Sequence, residues 1–266
     1  MTQPSVRRPD GAAPPLPVAP GAGARVFRAA RRVRLGDVLP GDGARLDALA
    51  RYLQDVAADD IGETEVAGDQ RWVVRRTRLE LRRRPRYEEP VELVTWCSGI
   101  GAAWAERRTS IVGSAGVAAE AVSLWVSLDP VTMRPAPLGE RFRGIYGPAA
   151  AGRSVAARLL HGPAPADTPG RGWPLRVADF DVLGHVNNAA GWAMLEDELA
   201  RHAPGACVGT AEVEYRRAIG AGGEPGSPGQ VAVCSARCGD VVCVWVSDDA
   251  GEVALSAVAS VVAPGG

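Results

Sequence analysis

Apolar residues recur at spacings of three and four at Leu46, Leu49, Leu53 and Val56, and again at Trp192, Leu195 and Leu199. That spacing is the mark of one buried helical face. Between and after these segments the pattern changes to period two, which predicts half-buried strands. They fall over residues 72–83, 91–98, 102–112 and 117–128 after the first helix, and over 210–217, 230–236, 241–247 and 253–262 after the second. VGSAG and SDDAG carry hairpin-turn chemistry. Asn187 or Asn188 is placed to cap the second helix, and Pro204-Gly205 stops it.

The two runs of elements have the same order and matching words. RVRLGDVLPGDGARLDALARYLQD parallels PLRVADFDVLGHVNNAAGWAMLED, TRLELRR parallels AEVEYRR, and IVGSAGVAAEAVSLWV parallels VSDDAGEVALSAVASVV. This is an internal duplication, and its Asp-Val-Leu words set Asp37 against Asp181. One helix ahead of a meander of antiparallel strands is the layout of a hotdog fold. The expected class is therefore α+β, a tandem (double) hotdog in which each half is an antiparallel sheet wrapped round a central helix. The expected domains are a disordered Pro/Ala/Gly-rich tail over 1–24, an N-terminal hotdog over 25–133, a linker over 134–173 with a short helical piece near 154–160, and a C-terminal hotdog over 174–266 that carries the candidate site.

Composition narrows the function. With 46% hydrophobic residues the chain is an ordinary globular one, and a net charge of -1 argues against bulk nucleic-acid binding. No apolar run approaches the ~20 residues of a membrane span, and the first residues lack the apolar core of a secretory signal. The reading is a cytoplasmic protein. All 30 basic residues are arginine, so mechanisms that need a lysine are excluded. The arginines of 75–86 are either a solvated sheet face or a surface for an acidic carrier or for phosphates. Cys234, Cys238 and Cys243 lie close together without a CxxC pair or a neighbouring His, and they read as buried strand thiols, not as a zinc site.

From about Arg25 to the C-terminus the sequence resembles the acyl-acyl carrier protein thioesterases of plants and bacteria. The resemblance rests on LDALARYLQDVAADD, WVVRRTRLELRRRPRYEEPVELVTWCSG, AVSLWVSLDPVTMRP, DFDVLGHVNNAAGWAMLED and VEYRRAI. It implies a double hotdog with the catalytic apparatus in the second half and the first half as scaffold and acyl-chain pocket. The family's Asp-x-Asn-x-His stretch corresponds to Asp181 through His185, with Leu183 in place of the Asn. The family's Glu-Cys after Tyr-Arg-Arg corresponds to Ala218 and Ile219. The simpler hotdog thioesterases acting on acyl-CoA offer a second template, Asp-x-Asp-x-x-Gly, which Asp179 through Gly184 fits.

Both templates point to Asp181, as a general base on water or as a nucleophile attacking the thioester carbonyl. His185 orients water or protonates the leaving thiolate. Asn187 and Asn188 mark a helix N-terminus that can stabilise an oxyanion, and Glu196 is a third polar candidate on that helix. Each has a structural alternative: a turn for Asp181 and His185, caps for the asparagines, an ion pair for Glu196. The expected activity is hydrolysis that releases a fatty acid from acyl-acyl carrier protein, with no metal and no organic cofactor. The alternatives are an acyl-CoA thioesterase and a non-catalytic acyl-binding protein with a degenerate site. The expected partner is acyl carrier protein or acyl-CoA as substrate carrier, with no nucleic acid, no membrane span, and a homodimer left open.

Overall fold

The computed structural model describes residues 20, 23–166, 168–220 and 229–262. The chain divides into two compact units, one within Pro15–Arg158 and one within Leu159–Gly266. No helix among the described residues is long and apolar enough to cross a membrane.

The first unit begins with β1 (Phe27–Arg32), a single 3-10 turn, and α1 (Leu46–Gly62). Leu46, Leu49, Leu53 and Val56 are all buried in α1, as their spacing requires. Four strands follow, β2 (Arg71–Leu81), β3 (Pro90–Ile100), β4 (Trp104–Gly113) and β5 (Gly116–Leu128), and then α2 (Glu140–Ala150). The strands form an antiparallel sheet in the order β1-β3-β4-β5-β2. The α1 helix lies against β1 and β3, and α2 against β3.

The second unit repeats the plan with β6 (Gly170–Pro174), a single 3-10 turn, α3 (Asn188–His202), β7 (Cys207–Tyr215), β8 (Gln230–Cys238), β9 (Val241–Ser247) and β10 (Val253–Val262). Its sheet order is β6-β8-β9-β10-β7, all antiparallel. Element for element this is the order of the first unit, so the duplication read from the sequence is a structural one. The TRLELRR and AEVEYRR words coincide in detail. The N–H groups of Arg82 and Arg83 both donate to the Ala118 carbonyl, and those of Arg216 and Arg217 both donate to that of Ala254. Each unit is a hotdog, one long helix on one antiparallel sheet. Gly191 allows α3 to sit close to its sheet, since a Cβ there would lie 3.0 Å from the Leu255 side chain.

Three expectations change. The stretch 134–173 is not a free connection: it supplies α2 to the first unit and β6 to the second. The helical piece expected near 154–160 is absent. That segment is extended and tied to the first unit's sheet, with the Ile100 N–H donating to the Arg153 carbonyl and the Trp104 indole to that of Val155. Helix α2 escaped notice because Gly144, Gly147 and Pro148 interrupt its pattern. Cys238 is exposed, whereas Cys243 is buried and Cys234 is intermediate, because Cys238 ends its strand at the β8–β9 turn. The expected tail over 1–24 lies almost wholly outside the described residues.

Candidate active site

The second of two turns ahead of α3 holds Asp181 and His185, and the start of α3 holds Asn187 and Asn188. The first turn, Val177–Asp179, is closed by the Asp179 N–H donating to the Arg176 carbonyl at 2.9 Å. The Asp179 carboxylate accepts the Arg176 N–H at 2.8 Å and that residue's guanidinium at 2.8 Å, and its carbonyl accepts the Asn187 N–H at 2.7 Å. The second turn runs from Asp181 to His185. The Asp181 N–H donates to the His185 carbonyl at 2.8 Å, and the Gly184 N–H donates back to the Asp181 carbonyl. Gly184 has φ +73°, a conformation that glycine adopts at little steric cost.

Within that turn, Oδ1 of Asp181 accepts the N–H of Leu183 at 2.8 Å and of His185 at 3.1 Å. Oδ2 accepts no hydrogen bond from any described residue. Asp181 and His185 are both half-buried, and the imidazole has no hydrogen-bonding partner among the described residues. The turn thus fixes the backbone with one carboxylate oxygen and presents the other.

Asn187 is the N-cap of α3, its side-chain oxygen accepting the Ala189 N–H at 2.8 Å. The Asn188 carbonyl accepts the Tyr215 hydroxyl at 3.0 Å, and Tyr215 in turn accepts the Trp192 indole N–H at 2.9 Å. That chain pins the first turn of the helix to β7. The Asn188 N–H, first in the helix, has no acceptor among the described residues, and the helix dipole makes such an amide a place for developing negative charge. Glu196 stands eight residues on, about 12 Å along the axis at the usual helical rise, and so lies outside the two turns.

The first unit carries the same two turns with different contents. The Asp37 N–H donates to the Arg34 carbonyl and the Arg45 N–H to the Asp37 carbonyl, and the Leu39 N–H donates to the Gly43 carbonyl. Asp37 therefore corresponds to Asp179, and Leu39 to Asp181. The alignment of Asp37 with Asp181 by their shared Asp-Val-Leu words is two residues out of register. The Asp37 carboxylate is committed to the Tyr52 hydroxyl at 2.7 Å and the Arg34 N–H at 2.9 Å. The first unit's copy holds no free carboxylate at this place.

The first unit instead encloses a cavity of about 230 Å³. Ala57, Ala58 and Ile61 of α1, Trp72 and Trp125 of the sheet, and Phe142 of α2 wall it. Phe142 stacks between Trp72, at 5.1 Å between ring centres, and Tyr146, at 4.6 Å. Arg107 also lines the cavity.

The arginines of 75–86 are largely occupied within their own unit. Arg76 donates to the Arg158 carbonyl and Arg84 to that of Ala44, Arg78 pairs with Glu80, and Arg83 grips Glu89. Their pattern marks a bound sheet face more than an open basic patch.

Two buried groups were not singled out in the sequence. Glu198 of α3 has a fully buried carboxylate held by Arg171 at 2.6 Å, Arg201 at 3.0 Å and the Ser235 hydroxyl at 2.6 Å. Burial raises its pKa, but the hydroxyl and the guanidiniums outweigh this and leave it below the ordinary carboxylate value. On the face of β7 away from α3, His161 lies 3.1 Å from Glu212 and 3.1 Å from the Ser256 hydroxyl. Glu214 accepts the main-chain N–H groups of Leu160 and His161. His161, Glu212 and Glu214 bring atoms able to ligate a metal within 4.8 Å of one another, and the hydrogen bonds account for the cluster as an anchor for residues 159–162. Two glutamates at i and i+2 on one strand face were the available signal.

Residues 24–146 match the model of the acyl-ACP thioesterase N-terminal domain. Two uncharacterized proteins of Mycobacterium tuberculosis, from strains CDC 1551 and H37Rv, are each 27% identical over 201 residues, 74% of this chain and 79% of the relative. Among solved structures, the 12:0-ACP thioesterase of Umbellularia californica aligns with a TM-score of 0.73 and 21% identity over 89% of this chain and 97% of that one. An acyl-ACP thioesterase of Bacteroides thetaiotaomicron gives 0.71 and 17% over 89% and 98%. At these identities the structures speak for the fold.

Proposed function

We infer that this chain, whose residues 24–146 match the acyl-ACP thioesterase N-terminal domain, hydrolyses fatty acyl thioesters and releases fatty acid from acyl carrier protein. The observation that carries the reading is the family match on the first unit. The turn ahead of α3 supplies groups for the chemistry. Oδ2 of Asp181 takes a proton from water, and the oxygen adds to the thioester carbonyl. The tetrahedral oxyanion is met by the Asn188 N–H at the helix N-terminus. Collapse breaks the C–S bond, and the departing thiolate takes a proton delivered by His185. Direct attack by Asp181 on the carbonyl, giving a mixed anhydride that water then cleaves, uses the same atom. The apolar cavity of the first unit holds the acyl chain.

One observation favours a second reading, an acyl-binding protein without turnover. Oδ1 of Asp181 already serves two main-chain amides, the duty of an ordinary turn aspartate. Thiol release from matched acyl-carrier-protein and acyl-CoA thioesters separates the readings. Turnover with a higher kcat/KM on the carrier-protein substrate is expected. Binding of acyl thioester with no thiol release on either carrier supports the second reading, and faster turnover of acyl-CoA moves the substrate to the acyl-CoA class.

A further inference from the structure

The cavity beneath α1 has an apolar wall and an unbalanced charge beside it. Asp60 of α1, 1% exposed, is shared by two guanidiniums: Arg25 lies 2.7 Å from Oδ1 and Arg107 lies 2.7 Å from Oδ2. Glu106 is paired with Arg153 and accepts the Ser98 hydroxyl at 2.9 Å. The local charges are thus three arginines against two carboxylates, an excess of one positive charge. Of these five charged groups, Arg107 and Glu106 line the cavity, and Glu106 is the one tied to Arg153. The contact of Arg107 with Asp60 is one of charge without alignment, since Asp60 Oδ2 accepts no hydrogen bond, and Arg107 Nη1 donates only a long 3.3 Å bond to Thr95.

Arg25 and Arg153 are 28% and 34% exposed and keep part of their hydration, whereas Arg107 is 12% exposed. A guanidinium short of aligned acceptors matches a carboxylate in charge and in donor geometry. We propose that this cavity takes an aliphatic chain that carries a carboxylate, with Arg107 holding the carboxylate and Ile61, Trp72, Trp125 and Phe142 surrounding the methylenes. The carboxylate has two sources: the free fatty acid that hydrolysis yields, or the far end of an ω-carboxyacyl thioester substrate. The proposal deepens the placement of the acyl chain given above, and its binding test does not depend on turnover.

Trp72 and Trp125 report occupancy by their fluorescence. The unaltered full-length protein is titrated with decanoate, decanol and methyl decanoate. Decanoate is expected to bind about tenfold more tightly than the two neutral ligands, the worth of one charge-assisted hydrogen bond. In Arg107→Gln that preference is expected to shrink to about twofold or less. Equal binding of all three ligands by the unaltered protein overturns the proposal, whether or not the variant folds. So does a folded Arg107→Gln that keeps the full preference.

Turnover of decanoyl and 9-carboxynonanoyl thioesters then separates the two sources. A lower KM for the carboxylated chain, lost in Arg107→Gln, assigns a substrate. Binding of decanoate with no such KM difference assigns the free product. Absence of all thioester turnover, with the fluorescence preference intact, removes the hydrolase reading and leaves the carboxylate pocket standing.

Discussion

Asp37 and Asp179 are counterparts in the two units, each closing a 3-10 turn and lending its carbonyl to the amide just ahead of the central helix. Each carboxylate also accepts the N–H three residues upstream, at 2.9 Å for Asp37 and 2.8 Å for Asp179. The duplicated aspartate is therefore the structural one. Asp181, two residues later, stands where the first unit has Leu39.

Removing either structural aspartate should destabilise its unit. Asp37→Ala and Asp179→Ala are each expected to lose about 1–3 kcal/mol, since each strands a paired N–H and a guanidinium or hydroxyl. Urea unfolding measures the loss. A change below about 0.5 kcal/mol in both would contradict the role.

Glu89 gives a pH signature. Arg83 binds it through two hydrogen bonds of 2.9 and 2.6 Å, and the N–H groups of Arg86 and Ser114 add to it, holding its carboxyl down at about 2 against an ordinary 4.5. A depressed carboxylate stabilises the fold fully above its unfolded value and less as pH falls from about 4.5 toward 2. The shift corresponds to about 3 kcal/mol for a side chain only 8% exposed. Glu89→Gln should therefore lose most of that at pH 7 and little near pH 2, read as unfolding free energy against pH. An equal loss at both pH values would contradict it.

Periodicity made the long elements legible. Strands β9 and β10 lie where alternation places them, and the α1 face is the one its leucines mark. Hydrogen-bond registers and packing made the rest hard to read. The Asp-Val-Leu word matched at the wrong register because turn identity is set by which N–H meets which carbonyl, not by the letters. Helix α2 carries glycines and a proline and is held by the Trp72–Phe142–Tyr146 stack, which no local pattern reports. The Asp181–His185–Asn187 constellation was visible because it is local in sequence. The charge excess at Arg107 was not, since it joins Arg25, Asp60, Glu106 and Arg153 across more than a hundred residues.

Phe142 closes the cavity between Trp72 and Tyr146. Phe142→Ala is expected to cost about 3–5 kcal/mol in stability and to shift the preferred acyl chain to a longer one, measured as kcat/KM over a series of chain lengths. An unchanged length profile in a folded variant would place the chain elsewhere.

In the proposed mechanism His185 protonates the leaving thiolate. His185→Ala should lower kcat about 10–100-fold and lower it less for thiols of low pKa, whose thiolates leave without a proton. Equal losses on good and poor leaving groups would return the imidazole to the turn.

The proposed catalytic role of Asp181 is tested most directly by Asp181→Asn, which keeps an acceptor for the Leu183 and His185 amides while removing the base and nucleophile. Thiol release from acyl-carrier-protein thioester should fall by at least about a hundredfold, with an unchanged unfolding midpoint. Turnover within a few-fold of the unaltered protein would contradict a catalytic Asp181 and leave it as the turn residue that its two backbone hydrogen bonds describe.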